Sequence, residues 1–289
     1  MQTLTEKRVF GSKHGTTEVF VASETGLVGV TVSADKIGEF GLTIRGETTA
    51  VAASEQGILA STDTKVYYST SDGESAAQSR TFETVGGPLD DRIVDLTWRA
   101  EGPVVATATQ VWIPTEWPTA AASVAGTDVL WEPVGDGKLE EVRAVSGSLV
   151  ATSEGSYQLT DGRLEAVGLT AVRDVAAHGT PLAATDEGLF SLANGWQQVA
   201  SGPFRRVGSD GHGHAHAINE GLVYRRTETG GWVEDSLPVA SPAVDVGYGG
   251  GVVAAITENG TLCLAAGDGW RQQLLGVRGI AAIAVTPGE

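Results

Sequence analysis

The sequence predicts an all-β chain that closes as a single seven-bladed β-propeller of four-stranded blades. Three observations predict it. One strand–turn–strand pattern recurs seven times, glycine is abundant (39 of 289 residues) and helical periodicity is almost absent. Steps between equivalent positions run from the low thirties to the mid forties, the size of a four-stranded blade. The whole chain, 1–289, is read as one domain.

The copies follow in order. EVFVASETGLVGVTVS (18–33) carries a small apolar strand, a turn ending in glycine and a second apolar strand. ILASTDTKVYYSTSDG from 58 and PVVATATQVWIP from 103 repeat it without the turn glycine. SLVATSEGSYQLTDGRLEAV (148–167), TPLAATDEGLFSLANGWQQV (180–199), HAHAINEGLVYRRTETGGWVEDSL (214–237) and VVAAITENGTLCLAAGDGWRQQL (252–274) complete the set. The residue ending each first strand recurs as Ala22, Ser61, Ala106, Ala151, Ala184, Ala217 and Ile256. Strands such as VVAT and LAAT are apolar or small on both faces, as a strand wedged between two neighbouring blades must be. Segments of alternating character precede them (TAVAAS, RIVDLTW, EVRAVS, VRDVAAH, FRRVGSD and AVDVGYG) and are expected to be the innermost strands. Trp131, Trp196, Trp232 and Trp270 open the outermost strands, where a large ring covers the apolar gap between blades.

Ring closure has two readings. The C-terminal GIAAIAV (279–285) matches the innermost pattern and would join the first blade, leaving residues 1–13 as an arm or added edge strand. In the alternative, KRVFGSK (7–13) is innermost.

Thirty-six acidic residues stand against 19 basic ones, a net charge of −17, and only five of the bases are lysines. Such a chain repels nucleic acid, whose binding rests on neutralised phosphates. No apolar run approaches about 18 residues, so no membrane span is expected. The start, MQTLTEKRVFGSKHG, has no apolar core of a secretory signal, and the cytoplasm is the expected compartment. Cys263 is expected to be a buried strand residue.

The repeats resemble the broad propeller group that contains Asp-box and WD-type proteins. YYSTSDGES (67–75) is similar to one degenerate Asp box whose following aromatic is displaced to Phe82, while the Trp-Asp signature is absent. The acidic, lysine-poor composition is similar to that of halophilic archaeal proteins, and the chain resembles haloarchaeal cytoplasmic propellers of unassigned activity. At 1 M salt the screening length is about 3 Å, so self-repulsion of this size is largely removed. The resemblance implies a fold and a salt environment, and no catalytic residues.

Three of the five histidines fall at every second position in GSDGHGHAHAIN (208–219). Aligned on Gly221, His216 takes the place held elsewhere by Val21, Ala60, Val105, Val150, Ala183 or Ala255. Period-two spacing puts His214 and His216 on one strand face, with His212 joining if the chain is already extended. They read as structural histidines, or as a transition-metal site of His212, His214 and His216 with Asp210 nearby. His14 and His178 read as surface groups, and Arg205/Arg206 and Arg225/Arg226 as interblade ion pairs. The third blade carries an insertion, TEWPTAAASVAG (115–126), with Trp117 and Pro118 following Trp112. These three form a candidate interface loop, or a loop folded over its own blade. No nucleophile elbow, phosphate loop or cysteine nucleophile appears. The first functional expectation is a non-enzymatic scaffold with a protein partner and no cofactor. The second is a metal-assisted hydrolase or lactonase-like enzyme at the tunnel, and the third a metal or small-ligand sensor.

Overall fold

The computed structural model describes residues 16–33, 36–70, 77–86, 89, 91–117, 129–135, 137–265 and 269–287. Blade 1 takes β1 (Thr16–Ser23), β2 (Gly26–Ser33) and β3 (Lys36–Arg45); blade 2 takes β4 (Ala50–Ser54), β5 (Gly57–Ser61), β6 (Val66–Ser69) and β7 (Glu83–Thr84). Blade 3 holds β8 (Ile93–Arg99), β9 (Gly102–Thr107), β10 (Val111–Pro114) and β11 (Trp131–Pro133). Blade 4 holds β12 (Val142–Ser146), β13 (Leu149–Thr152), β14 (Ser156–Thr160) and β15 (Arg163–Gly168). Blade 5 is β16 (Val172–Ala176), β17 (Leu182–Thr185), β18 (Gly188–Leu192) and β19 (Trp196–Ser201). Blade 6 is β20 (Phe204–Ser209), β21 (Ala215–Asn219), β22 (Leu222–Arg226) and β23 (Trp232–Glu234). Blade 7 is β24 (Ala243–Gly249), β25 (Val252–Thr257), β26 (Thr261–Ala265) and β27 (Trp270–Leu274), and β28 (Ile280–Val285) follows.

Each of the seven sheets is four-stranded with antiparallel neighbours, and β28 is the innermost strand of blade 1. Val19 pairs with Val285 and Val21 with Ile283, and the Glu18 amide donates to Thr286 Oγ1 at 2.8 Å. The C-terminal reading of closure therefore holds. The alternative strand, 7–13, lies outside the described residues, as does the proposed arm. No described helix is long and apolar enough to cross a membrane.

Burial explains why the pattern makes a ring. The second strands β9, β13 and β17 are buried at every residue, because both faces meet a neighbouring blade. Apolar contacts gather into seven clusters among the described residues, one per blade junction. Outer strands such as β15 are mostly exposed, except where a tryptophan closes the gap: Trp196 donates from Nε1 to the Val167 carbonyl of the preceding blade at 2.9 Å. Cys263 is buried in β26, and burial pushes its thiol up to about 11.

One alignment position is corrected. Ile218, not Ala217, stands opposite Arg206 as Ala184 stands opposite Asp174. Ala217 packs back toward blade 5 and Ile218 forward toward blade 7. The cause is the place of the glycine: Ile218 pairs with Val223 at the same spacing as Ala184 with Leu189, but Gly221 lies three residues after Ile218 where Gly188 lies four after Ala184. Asn219 pairs directly with Leu222, and Glu220 (φ 50°) and Gly221 (φ 80°) form the two-residue hairpin turn that needs positive φ at both positions.

Candidate functional site

Every hairpin joining an innermost strand to the second strand of its blade opens on the same face of the ring. There a funnel of about 1160 Å³ is rimmed by the turns at 54–56, 209–214 and 249–252. His178, His212, His214 and His216 all line it, so four of the five histidines converge on one opening. His178, read from sequence as a lone surface group, arrives from the β16–β17 loop. Backbone contact explains its placement: the Ser209 hydroxyl donates to the His178 carbonyl at 2.8 Å, and an atom at the Cβ position of Gly211 would lie 3.6 Å from the His178 Cβ.

The loop carrying His212 and His214 is built on Asp210. Its Oδ1 accepts the backbone N–H groups of His212 and His214 at 2.7 and 3.0 Å, and its Oδ2 lies 2.6 Å from His214 Nδ1. Desolvation raises the Asp210 carboxyl, but these bonds together outweigh it and leave the group below the usual carboxylate range. The His214 ring remains largely exposed.

His216 behaves differently. Two residues before Ile218, it stands on the same face of β21, looking toward blade 7, and it is 7% exposed. Its Nδ1 is hydrogen-bonded to the Tyr248 hydroxyl on β24, and its Nε2 lies 3.1 Å from Asp235 Oδ2, just beyond β23. The Trp270 ring stands edge-on at 5.9 Å between centroids. The bond from His216 is the main reason the Asp235 carboxyl sits below its ordinary range, with Trp270 adding and burial opposing. Asp235 is therefore ionised and accepts, which places the His216 proton on Nε2 and leaves Nδ1 to accept the phenolic proton. Burial raises the Tyr248 phenol, and the charges of Asp210 and Asp235 raise it further. Tyr248 also lines the funnel, so the chain of three groups runs radially from the outer strand of blade 6 to the central opening. Among the described residues no three His, Cys, Asp or Glu side chains are arranged to hold a metal ion.

Away from the funnel, the tunnel narrows to about 70 Å³ between Asp95, Arg143, Asp174, Arg206 and Asp245. Each aspartate accepts the next N–H of its own strand through Oδ1 and, through Oδ2, an N–H of the following blade's innermost strand. The donors in those following blades are Val145, Val207 and Ile283, and all six bonds measure 2.8 to 2.9 Å. Desolvation raises all three carboxyls, Asp95 to about 7 and Asp174 to about 6. Arg206 lies among them, its Nε 3.8 Å from Asp245 Oδ1, an interblade pair as expected for that arginine. A lone aspartate recurring in RIVDLTW, VRDVAAH and AVDVGYG was the sequence signal for this layer. Tyr248 and Asp235 had no such signal, because only the fold brings them to His216.

The third-blade insertion leaves from the end of β10, on the funnel face. Trp117 is half-buried, its ring edge-on to Tyr68 and Trp98 at 5.6 and 5.5 Å. It adjoins Gly102, the first residue of β9 after the β8–β9 turn, where a Cβ would stand 3.0 Å from the Trp117 Cβ. Trp112 packs in the same interblade cluster, and Pro118 lies outside the described residues. Gln56, on the funnel rim, donates to the Arg99 carbonyl at 2.9 Å and links the funnel to this turn.

A family model described as HVO_0234-like, beta propeller, matches residues 3–286. No curated protein matches. Among solved structures, AztD from Citrobacter koseri is similar at TM-score 0.61 and 10% identity, over 95% of this chain and 99% of that one. Human WBSCR16 is similar at TM-score 0.56 and 15% identity, over 86% and 88%. YCF48 bound to D1 peptide is similar at TM-score 0.55 and 16% identity, over 79% and 82%. At these identities the likeness is one of fold alone.

Proposed function

We propose that this chain, which belongs to the HVO_0234-like β-propeller family, is a scaffold that takes a protein partner on its funnel face in the cytoplasm of a halophilic archaeon. One observation carries the reading: the funnel and the root of the third-blade insertion open on the same side of the ring, joined through Gln56 and the β8–β9 turn. Loops presented together on a rigid ring form a continuous surface, the arrangement by which scaffolds hold binding residues. The net charge of −17 with five lysines supports a cytoplasm of molar salt, where screening removes the repulsion such a surface would otherwise exert on an acidic partner.

Site-specific photocrosslinking in the native host tests this. A crosslinker replacing His212, at the exposed funnel rim, is expected to trap one protein, and removing residues 115–126 is expected to reduce the yield. A crosslinker replacing Glu187, in a turn on the opposite face, is expected to trap none. Equal yields from both faces, or none from the rim, overturn the scaffold reading.

A further inference from the structure

We propose that Tyr248, His216 and Asp235 form a proton relay that makes the funnel a hydrolytic site for a neutral acyl compound, an ester or lactone. The inference stands independently of the scaffold reading. Its basis is the complete sequence of contacts between hydroxyl, imidazole and carboxylate, with the hydroxyl on the funnel wall. A hydroxyl held by a base that is itself oriented by a third group is the arrangement by which proteins move a proton at neutral pH. The imidazole is fixed on both sides: Trp270 closes it edge-on, and the neighbouring blades leave it 7% exposed. The charged groups around the relay are Asp235, Arg225 acting on Asp235, and Asp210 acting on Tyr248.

The lining selects the substrate class. The described residues of the funnel include no lysine or arginine, and Glu55 and Asp210 contribute negative charge. A phosphate ester, whose oxygens need cationic clamps, is poorly served there. A neutral carbonyl needs only hydrogen-bond donors where its oxygen becomes negative. Immediately after Tyr248 the wall is Gly249, Gly250 and Gly251, the last two at φ 54° and 74°. Thr17 packs against Gly250, but nothing lies within 4 Å of where a Cβ would stand at Gly251, so the turn is open there to present a backbone N–H, the kind of donor a developing oxyanion requires.

In the step itself, a water held at the Tyr248 oxygen forms a C–O bond to the carbonyl carbon as the carbonyl π pair moves onto oxygen. The water's proton passes to the Tyr248 oxygen while the phenolic proton passes to His216 Nδ1, and Asp235 stabilises the resulting imidazolium through Nε2–H. When the oxyanion pair returns, the bond from the carbonyl carbon to the alkoxy oxygen breaks. The proton then travels back from Nδ1 through Tyr248 to the departing alkoxide. Ester and water become acid and alcohol, and the relay ends as it began. No free phenolate is formed, in keeping with the raised Tyr248 phenol.

The test uses the full chain in molar KCl with p-nitrophenyl butyrate and an aliphatic γ-lactone. Saturable hydrolysis above the protein-free rate is expected. Tyr248→Phe removes one oxygen and is expected to lower kcat at least 100-fold with KM little changed. His216→Gln should lose as much, and the double variant no more, because the groups act as one unit. Asp235 is a positioning residue: in Asp235→Asn the acid limb of the pH–rate profile should move to lower pH as kcat falls, a change that loss of packing does not produce. Turnover of neither compound, or Tyr248→Phe within twofold of the parent, overturns the relay. Retained crosslinking from position 212 in Tyr248→Phe keeps its failure distinguishable from that of the scaffold reading.

Discussion

Asp245→Ala cuts the stitch that binds blade 7 to the strand closing the ring. The carboxylate accepts the Val246 and Ile283 amides, each at 2.9 Å, and faces the Arg206 guanidinium. Alanine leaves two buried N–H groups without an acceptor, at about 1–3 kcal/mol each, and leaves Arg206 one carboxylate fewer. Removing a carboxyl that burial already disfavours gives some of this back. The net expectation is a loss of about 2–4 kcal/mol. Urea unfolding at fixed molar KCl reads it, because urea leaves the screening unchanged while guanidinium does not. Hydrogen exchange adds the location: amides of β28 should exchange faster while those of β13, across the ring, should not. A control at an exposed turn with ordinary backbone, Glu187→Ala, is expected within about 0.5 kcal/mol of the parent. If Asp245→Ala unfolds at the parent's midpoint, or if β28 protection is unchanged, the aspartate layer does not hold the blades together.

Three further outcomes follow from the same contacts. Burial raises Asp95 to about 7, so its contribution to stability is fully present below the unfolded value near 3.8 and is lost as pH rises through about 7. The size is at most about 4 kcal/mol; Asp95→Asn should therefore show a shallower fall in urea midpoint from pH 4 to 8, and an unchanged slope would contradict the assignment. Gly221→Ala meets both a φ of 80° and a Cβ 2.5 Å from the Pro242 Cβ, so a loss of about 2 kcal/mol or more is expected by thermal unfolding, against a near-neutral Gly137→Ala in open space. Trp117→Ala removes two edge-on ring contacts, each worth about 0.5–1.5 kcal/mol beyond area burial, and should lower stability by about 2 kcal/mol; a neutral result would show that Trp117 contributes nothing to its own blade.

The sequence alone determined the repeat and therefore the ring. A strand such as VVAT, apolar on both faces, has nowhere to go but between two sheets, and seven such strands at blade spacing leave a closed circle as the arrangement that covers them all. The C-terminal closing strand was legible for the same reason, since GIAAIAV matched the innermost pattern. The candidate site was legible only in part. Histidine spacing marked the right loop, but alignment on Gly221 put His216 one position out of register, because that glycine sits one place earlier in its hairpin than Gly188 does, and a one-residue slip reverses which face a side chain takes. Tertiary structure decided what those side chains meet. His216 finds Tyr248 and Asp235, 32 and 19 residues away, and His178 joins His212 from another blade. Blade packing sets these meetings through contacts between copies, and a pattern within each copy carries no record of them.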